Sequence, residues 1–181
     1  MAKKYRLQPD EEGLYRVVAA RDFKPSRKNN LTVKKGDRGG LVAGPYNLSQ
    51  AGNCWVEEGA RVLDQAKVTK DALVLGQATI SGRALITDHS WVGGSAQVRD
   101  DAQVLEGGAV TDKAVVRDGA TIRSAGIVGG SAVVEHRAKV ENGAMVGDRT
   151  TISGIAVVRG EGTIVVGDNH IIKGVHQMDA T

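Results

Sequence analysis

Residues 56 to 74 read Val56-Glu57-Glu58-Gly59-Ala60-Arg61-Val62-Leu63-Asp64-Gln65-Ala66-Lys67-Val68-Thr69-Lys70-Asp71-Ala72-Leu73-Val74, with valine at every sixth position. The same step continues through Ile80, Ile86, Val92, Val98, Val104, Val110, Val116, Ile122, Val128, Val134, Val140, Val146, Ile152 and Val158 to Ile164, always Val or Ile. Two residues ahead of each stands a small residue, among them Ala60, Ala66, Ala72, Ser90, Gly108, Thr150 and Gly162. A β-branched residue and a small one, two apart, face the same side of a short strand. The next two positions turn the chain. They hold pairs such as Glu58-Gly59, Asp118-Gly119, Asn142-Gly143 and Asp148-Arg149, residue types that tolerate positive φ. Three strands and three corners close a coil of about 18 residues, so the repeat predicts an all-β, single-stranded parallel β-helix of a little over six coils stacked at about 4.8 Å.

The run ahead of the repeat adds a second signal. Gly40-Leu41-Val42, then Asn47-Leu48-Ser49-Gln50-Ala51-Gly52-Asn53-Cys54-Trp55-Val56, together with Arg21-Asp22-Phe23, resemble the opening GGWV…NLSQxGxCW(V/I) of the YdcK-like group of hexapeptide-repeat proteins, with Leu41 where the group commonly has Trp. That resemblance implies a left-handed coil, which spacing cannot give. The group contains bacterial, prophage and phage proteins, often described as transferases. The motif is specific for architecture rather than activity, since one fold hosts many functions.

A period of 18 lets each face of the coil be read by itself. On one face the outward residues before the inward Val or Ile are Trp55, Leu73, Trp91, Ala109, Ile127, Met145 and Thr163, and those after it are Glu57, Leu75, Gly93, Thr111, Gly129, Gly147 and Val165. The other two faces mix charged and polar residues. A contiguous apolar strip asks to be covered, so Trp55, Leu73, Leu75, Trp91, Ile127, Met145 and Val165 are the expected oligomer interface. A homotrimer is the assembly that hexapeptide relatives imply, with the N-terminal segment folding back over the strip as the competing cover.

Three segments are expected: a basic N-terminal β cap over residues 1–54, the repeat over 55–168, and a C-terminal cap or tail over 169–181. Within the first, Tyr15–Ala20 and Leu31–Val33 read as short strands and Lys35–Gly40 as a turn cluster. Residues 1–54 hold eleven Lys and Arg against five Asp and Glu, a surplus of six, in a chain whose net charge is +3. Such a head attracts phosphates or acidic partners. Only six of the 181 residues are aromatic, too few to stack unpaired bases, and binding to nucleic acid is not expected. The opening residues hold no apolar stretch and no run reaches the length of a membrane span, which with the single Cys54 predicts a reducing, cytoplasmic setting without a membrane partner.

For chemistry, four histidines are the candidates. His89 stands at the corner before Trp91. Hexapeptide acyltransferases use a histidine near a subunit boundary as general base, so the resemblance makes His89 the catalytic candidate and acyl-CoA the cofactor of that alternative. His136 falls on a corner away from the apolar face, and His170 and His176 follow the repeat. The uninterrupted hexads lack the loop that walls an acceptor pocket. No metal site is expected, because one thiol and scattered histidines do not supply a ligand set. Gly93-Gly94 and Gly129-Gly130 read as corners rather than phosphate loops. The leading expectation is therefore a non-catalytic homotrimer that binds an anionic small molecule such as a signalling nucleotide, or a host protein. Arg99, Lys113, Arg117, Arg123 and Arg149 supply the cations, near corners Asp88-His89, Asp112-Lys113 and Asp148-Arg149. A structural spacer or assembly element is the third reading.

Overall fold

The computed structural model describes residues 3–25, 31–160, 164–165, 171–173 and 177–178. Among these the chain is all-β, without a helix, and coils into a parallel β-solenoid of about seven turns. No helix among the described residues is long and apolar enough to cross a membrane.

The hexad decides the packing. Each short strand pairs in parallel with the strand one coil on: Trp55 with Leu73, Leu73 with Trp91, Trp91 with Ala109, Ala109 with Ile127, Ile127 with Met145. Three such ladders form three faces: the tryptophan face (Trp55–Val56 through Ile164–Val165), the second face (from Arg61–Val62) and the third face (from Lys67–Val68). From Val56 to Val158 the inward valines and isoleucines and their alanine partners are sealed from water, a column of small apolar side chains. A fully buried Val or Ile contributes about 1.5–3 kcal/mol by leaving water, and the column repeats that at every hexad.

The corners take up the strain. Asp64, Asp88, Asp100, Asp112, Asp118 and Asp148 all adopt positive φ, between 50° and 61°. Aspartate tolerates this region better than bulkier residues do. Five of these carboxylates also tie coil to coil, each accepting the backbone N–H of the corner residue one coil on. Asp64 accepts from Gly82 at 2.9 Å, Asp112 from Gly130 at 2.9 Å, Asp118 from His136 at 2.9 Å, and Asp88 and Asp100 from Glu106 and Asp118 at 3.3 Å.

The strict step of six ends after Val158. In the last tryptophan-face strand Ile164 pairs with Met145 and Val165 with Val146, so Val165 takes the register of the inward row and Ile164 that of the outward row. Ile172 then pairs with Ile152, and Met178 with Val158. The pairing of the nineteenth hexad therefore slips by one residue. Thr163 lies outside the described residues, as do His170, His176 and the stretch 166–170; the ladders nevertheless run on through Ile171–Lys173 and Gln177–Met178.

At the other end the parallel ladder begins before the strict repeat. Strands β1 (Tyr5–Pro9) and β2 (Tyr15–Ala19) form an antiparallel hairpin, and β3 (Arg38–Val42) pairs antiparallel with β2 on one side and parallel with Arg61–Val62 on the other. Leu48 bridges to Val68 in parallel. Of the expected turn cluster, Gly36 turns with φ of 98°, whereas residues 38–40 belong to β3. In place of a Leu31–Val33 strand there is a single bridge from Val33 to Phe23.

Candidate functional site

The tryptophan face is built in two unlike halves. Trp55 is only 3 % exposed, because Phe23 meets it edge-on at a ring separation of 5.6 Å and β3 passes alongside at Gly39. The fold-back of the N-terminal segment thus covers the first coil of the face. Further along, the benzene ring of the Trp91 indole lies beside Gly93, where a Cβ would stand 3.1 Å from it, and Gly93 is buried under that ring. Leu73 and Ala109 are buried on either side of Trp91. Beyond Ala109 the face opens. Ile127 is half-buried and Met145 is 41 % exposed. Gly129 and Gly147 occupy the positions equivalent to Gly93 but are not buried. A depression of about 380 Å³ lies there, lined by Thr111, Asp112, Ile127, Gly129, Gly130, Met145, Val146, Gly147 and Asp148.

The candidate cations are not gathered around it. Arg117 forms a short ion pair with Glu135 and Arg123 bonds Glu141 at 2.7 Å, each partner lying one coil on. Lys70 with Asp88 at 2.5 Å and Arg83 with Asp101 at 2.6 Å repeat the arrangement. The hydrogen bonds of these pairs push the arginines above their ordinary range and hold Asp88 and Asp101 below theirs. Arg99 lies 3.7 Å from its neighbour Asp100 on the second face. Lys113 and Arg149 directly follow Asp112 and Asp148, which line the depression. The five cations are therefore spread over three faces, and two are occupied in coil-to-coil ladders.

His89 sits at the corner between the third and tryptophan faces with its side chain 82 % exposed. Its Nε2 is 3.8 Å from an Asp71 carboxylate oxygen. No wall surrounds it, and the depression begins further along the face, at Thr111. His136 belongs to a different cluster. Asp118, Glu135 and His136 offer donor atoms within 4.8 Å of one another, near enough to share one cation, a convergence of two successive coils that the linear pattern of residues does not reveal. Ser153 bridges two of the three, with Oγ 3.0 Å from Glu135 and 3.1 Å from His136 Nδ1. Burial raises the Glu135 carboxyl, but the hydrogen bonds from Arg117 and Ser153 outweigh it and hold the group below its ordinary range. The cluster can offer three ligands, in competition with Arg117 for Glu135.

The run Asn47–Trp55 turns out to be a socket for the N-terminal hairpin. Asn47 accepts from Gly44 N–H at 2.7 Å and donates to the carbonyls of Asp64 and Ala66. Gln50 accepts from Lys4 N–H at 2.8 Å and donates to the Tyr5 carbonyl. Lys4, 1 % exposed, donates through Nζ to the Cys54 carbonyl at 3.0 Å and to Cys54 Sγ at 3.1 Å. Burial lowers the Lys4 ammonium and raises the Cys54 thiol, each partly offset by the other. The Tyr5 hydroxyl donates to the Leu48 carbonyl. No protein-family model matches the chain, and no curated protein matches it in sequence.

Proposed function

We propose that this chain is a non-catalytic β-solenoid that works as a closed assembly of identical copies joined through its tryptophan face. One observation carries the reading. From Leu73 to Gly147 the outward positions of that face bear no charge, whereas the second and third faces are laced with ion pairs. Trp91, Ile127 and Met145 remain partly in water there, and covering them releases that hydration. The resemblance to the YdcK-like hexapeptide group supports self-association as such and leaves the number of copies to be measured. The socket role of Asn47–Trp55 fits a motif that serves architecture rather than chemistry. An anionic ligand draws less support, because Arg117 and Arg123 already face glutamates.

Sedimentation of the wild type beside Trp91→Glu and Ile127→Glu tests the proposal. Both substitutions place a carboxylate on the face without touching the inward column. The wild type is expected as an oligomer and the variants as monomers of 19.0 kDa with wild-type circular dichroism. A wild type that stays at 19.0 kDa up to about 1 mM, beyond which association is too weak to matter, overturns it.

A further inference from the structure

Among the described residues the tryptophan face has seven strands, and the middle one carries Ala109 and Val110. Counting outward from it, the two halves are complementary in shape. One coil toward the N-terminus the Trp91 ring covers Gly93; one coil toward the C-terminus the matching Gly129 carries no ring over it and is half-buried, with Thr111 Cγ2 and Asp112 Oδ2 at its edge. Two coils toward the N-terminus stands Leu75, and two coils the other way its counterpart is Gly147. Ridge and trough are thus placed at equal distances from Ala109.

Resting on self-association through this face, the geometry points to a second copy of the chain as the occupant of the depression, docked antiparallel about a two-fold axis that runs along the Ala109–Val110 strand. Rotation about that line reverses the order of coils but preserves position along each strand. The Trp91 ring of one copy then meets Gly129 and Ile127 of the other, and Leu75 meets Gly147. The interface is isologous, so each ridge-into-trough contact occurs twice. Charge agrees at the corner beside the depression. Asp112-Lys113 lies level with the axis and meets its own copy, each lysine within reach of the opposite aspartate. Asp148-Arg149 meets the uncharged Gly76-Gln77, and Gly94-Ser95 meets Gly130-Ser131. At the opposite edge charge opposes the pair: Glu106 approaches its own copy, like against like, its carboxylate partly engaged by the Ser124 hydroxyl at 2.7 Å. The five middle coils offer roughly 500 Å² of flat area per copy, from a strand spacing of about 4.8 Å and a hexad some 20 Å wide. That lies below the roughly 800 Å² per partner of a standard interface, so the pair is reversible.

Nitroxide labels on Gln77→Cys, Ser95→Cys and Lys113→Cys, read one at a time by pulsed dipolar spectroscopy, test the arrangement. All three lie on one exposed corner, and Cys54 is buried away from the reagent. The expected result is a dimer in which the distance between copies is shortest at Lys113 and lengthens through Ser95 to Gln77, by roughly two coil heights for each coil moved. Trp91→Ala is expected to weaken the pair at least tenfold. An oligomer with equal distances at all three sites is a parallel assembly such as a trimer; it overturns the antiparallel pair and leaves self-association standing. A chain that remains a monomer with no dipolar signal overturns both.

Discussion

Ser90 and Thr150 stand where other hexads place alanine or glycine. Both hydroxyls are sealed inside the column, and neither has a hydrogen-bond partner among the described residues. A buried hydroxyl without a partner forfeits its hydration. Ser90→Ala is therefore expected to stabilise the fold by about 1 kcal/mol, read from chemical denaturation; a loss of that size instead would mean that the hydroxyl does hold a partner. Tyr5 is the converse case, a buried phenol that is bonded. Burial, with Cys54 beside it, pushes its pKa up to about 12 against the hydrogen bond from Gln50. Because the folded value is raised, the stabilisation is complete below the ordinary value of 10.0 and is lost as pH climbs through about 12. Tyr5→Phe should remove that alkaline loss, seen by following circular dichroism and phenolate absorbance together. Neither role is visible in the bare repeat: a single serine among alanines fits the spacing, and the phenol finds its acceptor 43 residues away.

Corner ladders are the next scale up. They were readable in part. The Asp and Asn residues at the corners marked positive φ, but that a carboxylate would reach the N–H one coil on depends on the stacking itself. Glu135, Asp88 and Asp101 are all held below their ordinary ranges. Depressed carboxylates contribute stability that is present above their unfolded values, 3.8 for aspartate and 4.5 for glutamate, and is lost as pH falls through the lower folded values. Thermal unfolding of the wild type should thus weaken steadily below about pH 4.5. In Glu135→Gln part of that acid slope should vanish while stability at neutral pH drops, because Arg117 and Ser153 lose their partner; an unchanged slope would mean that Glu135 takes no part in it. The slip after Val158 was hidden for a different reason. Ile164 and Val165 are both β-branched, so a strict step of six still lands on an acceptable residue at Ile164 although the pairing has moved by one.

Over the whole molecule, the period gave the three faces, and the unpaired face was legible from Trp91, Ile127 and Met145 alone. What a period cannot tell is which outward residues are already partnered. Arg117 and Arg123 read as available cations until the stacking placed glutamates against them. Trp55 read as interface until Phe23 was found upon it. The same blindness applied to Asp118, Glu135 and His136, which come from successive coils and meet only once those coils are stacked. Side-by-side pairing through one face makes a definite demand on shape: mass must rise without lengthening the rod. Small-angle scattering across a concentration series measures both together. The mass is expected to rise from 19.0 kDa while the length along the solenoid axis stays near a single copy's seven coils, about 34 Å for the coiled part. A length that grows in step with the mass would mean end-to-end stacking and would contradict pairing through the tryptophan face, as would a mass that never leaves 19.0 kDa.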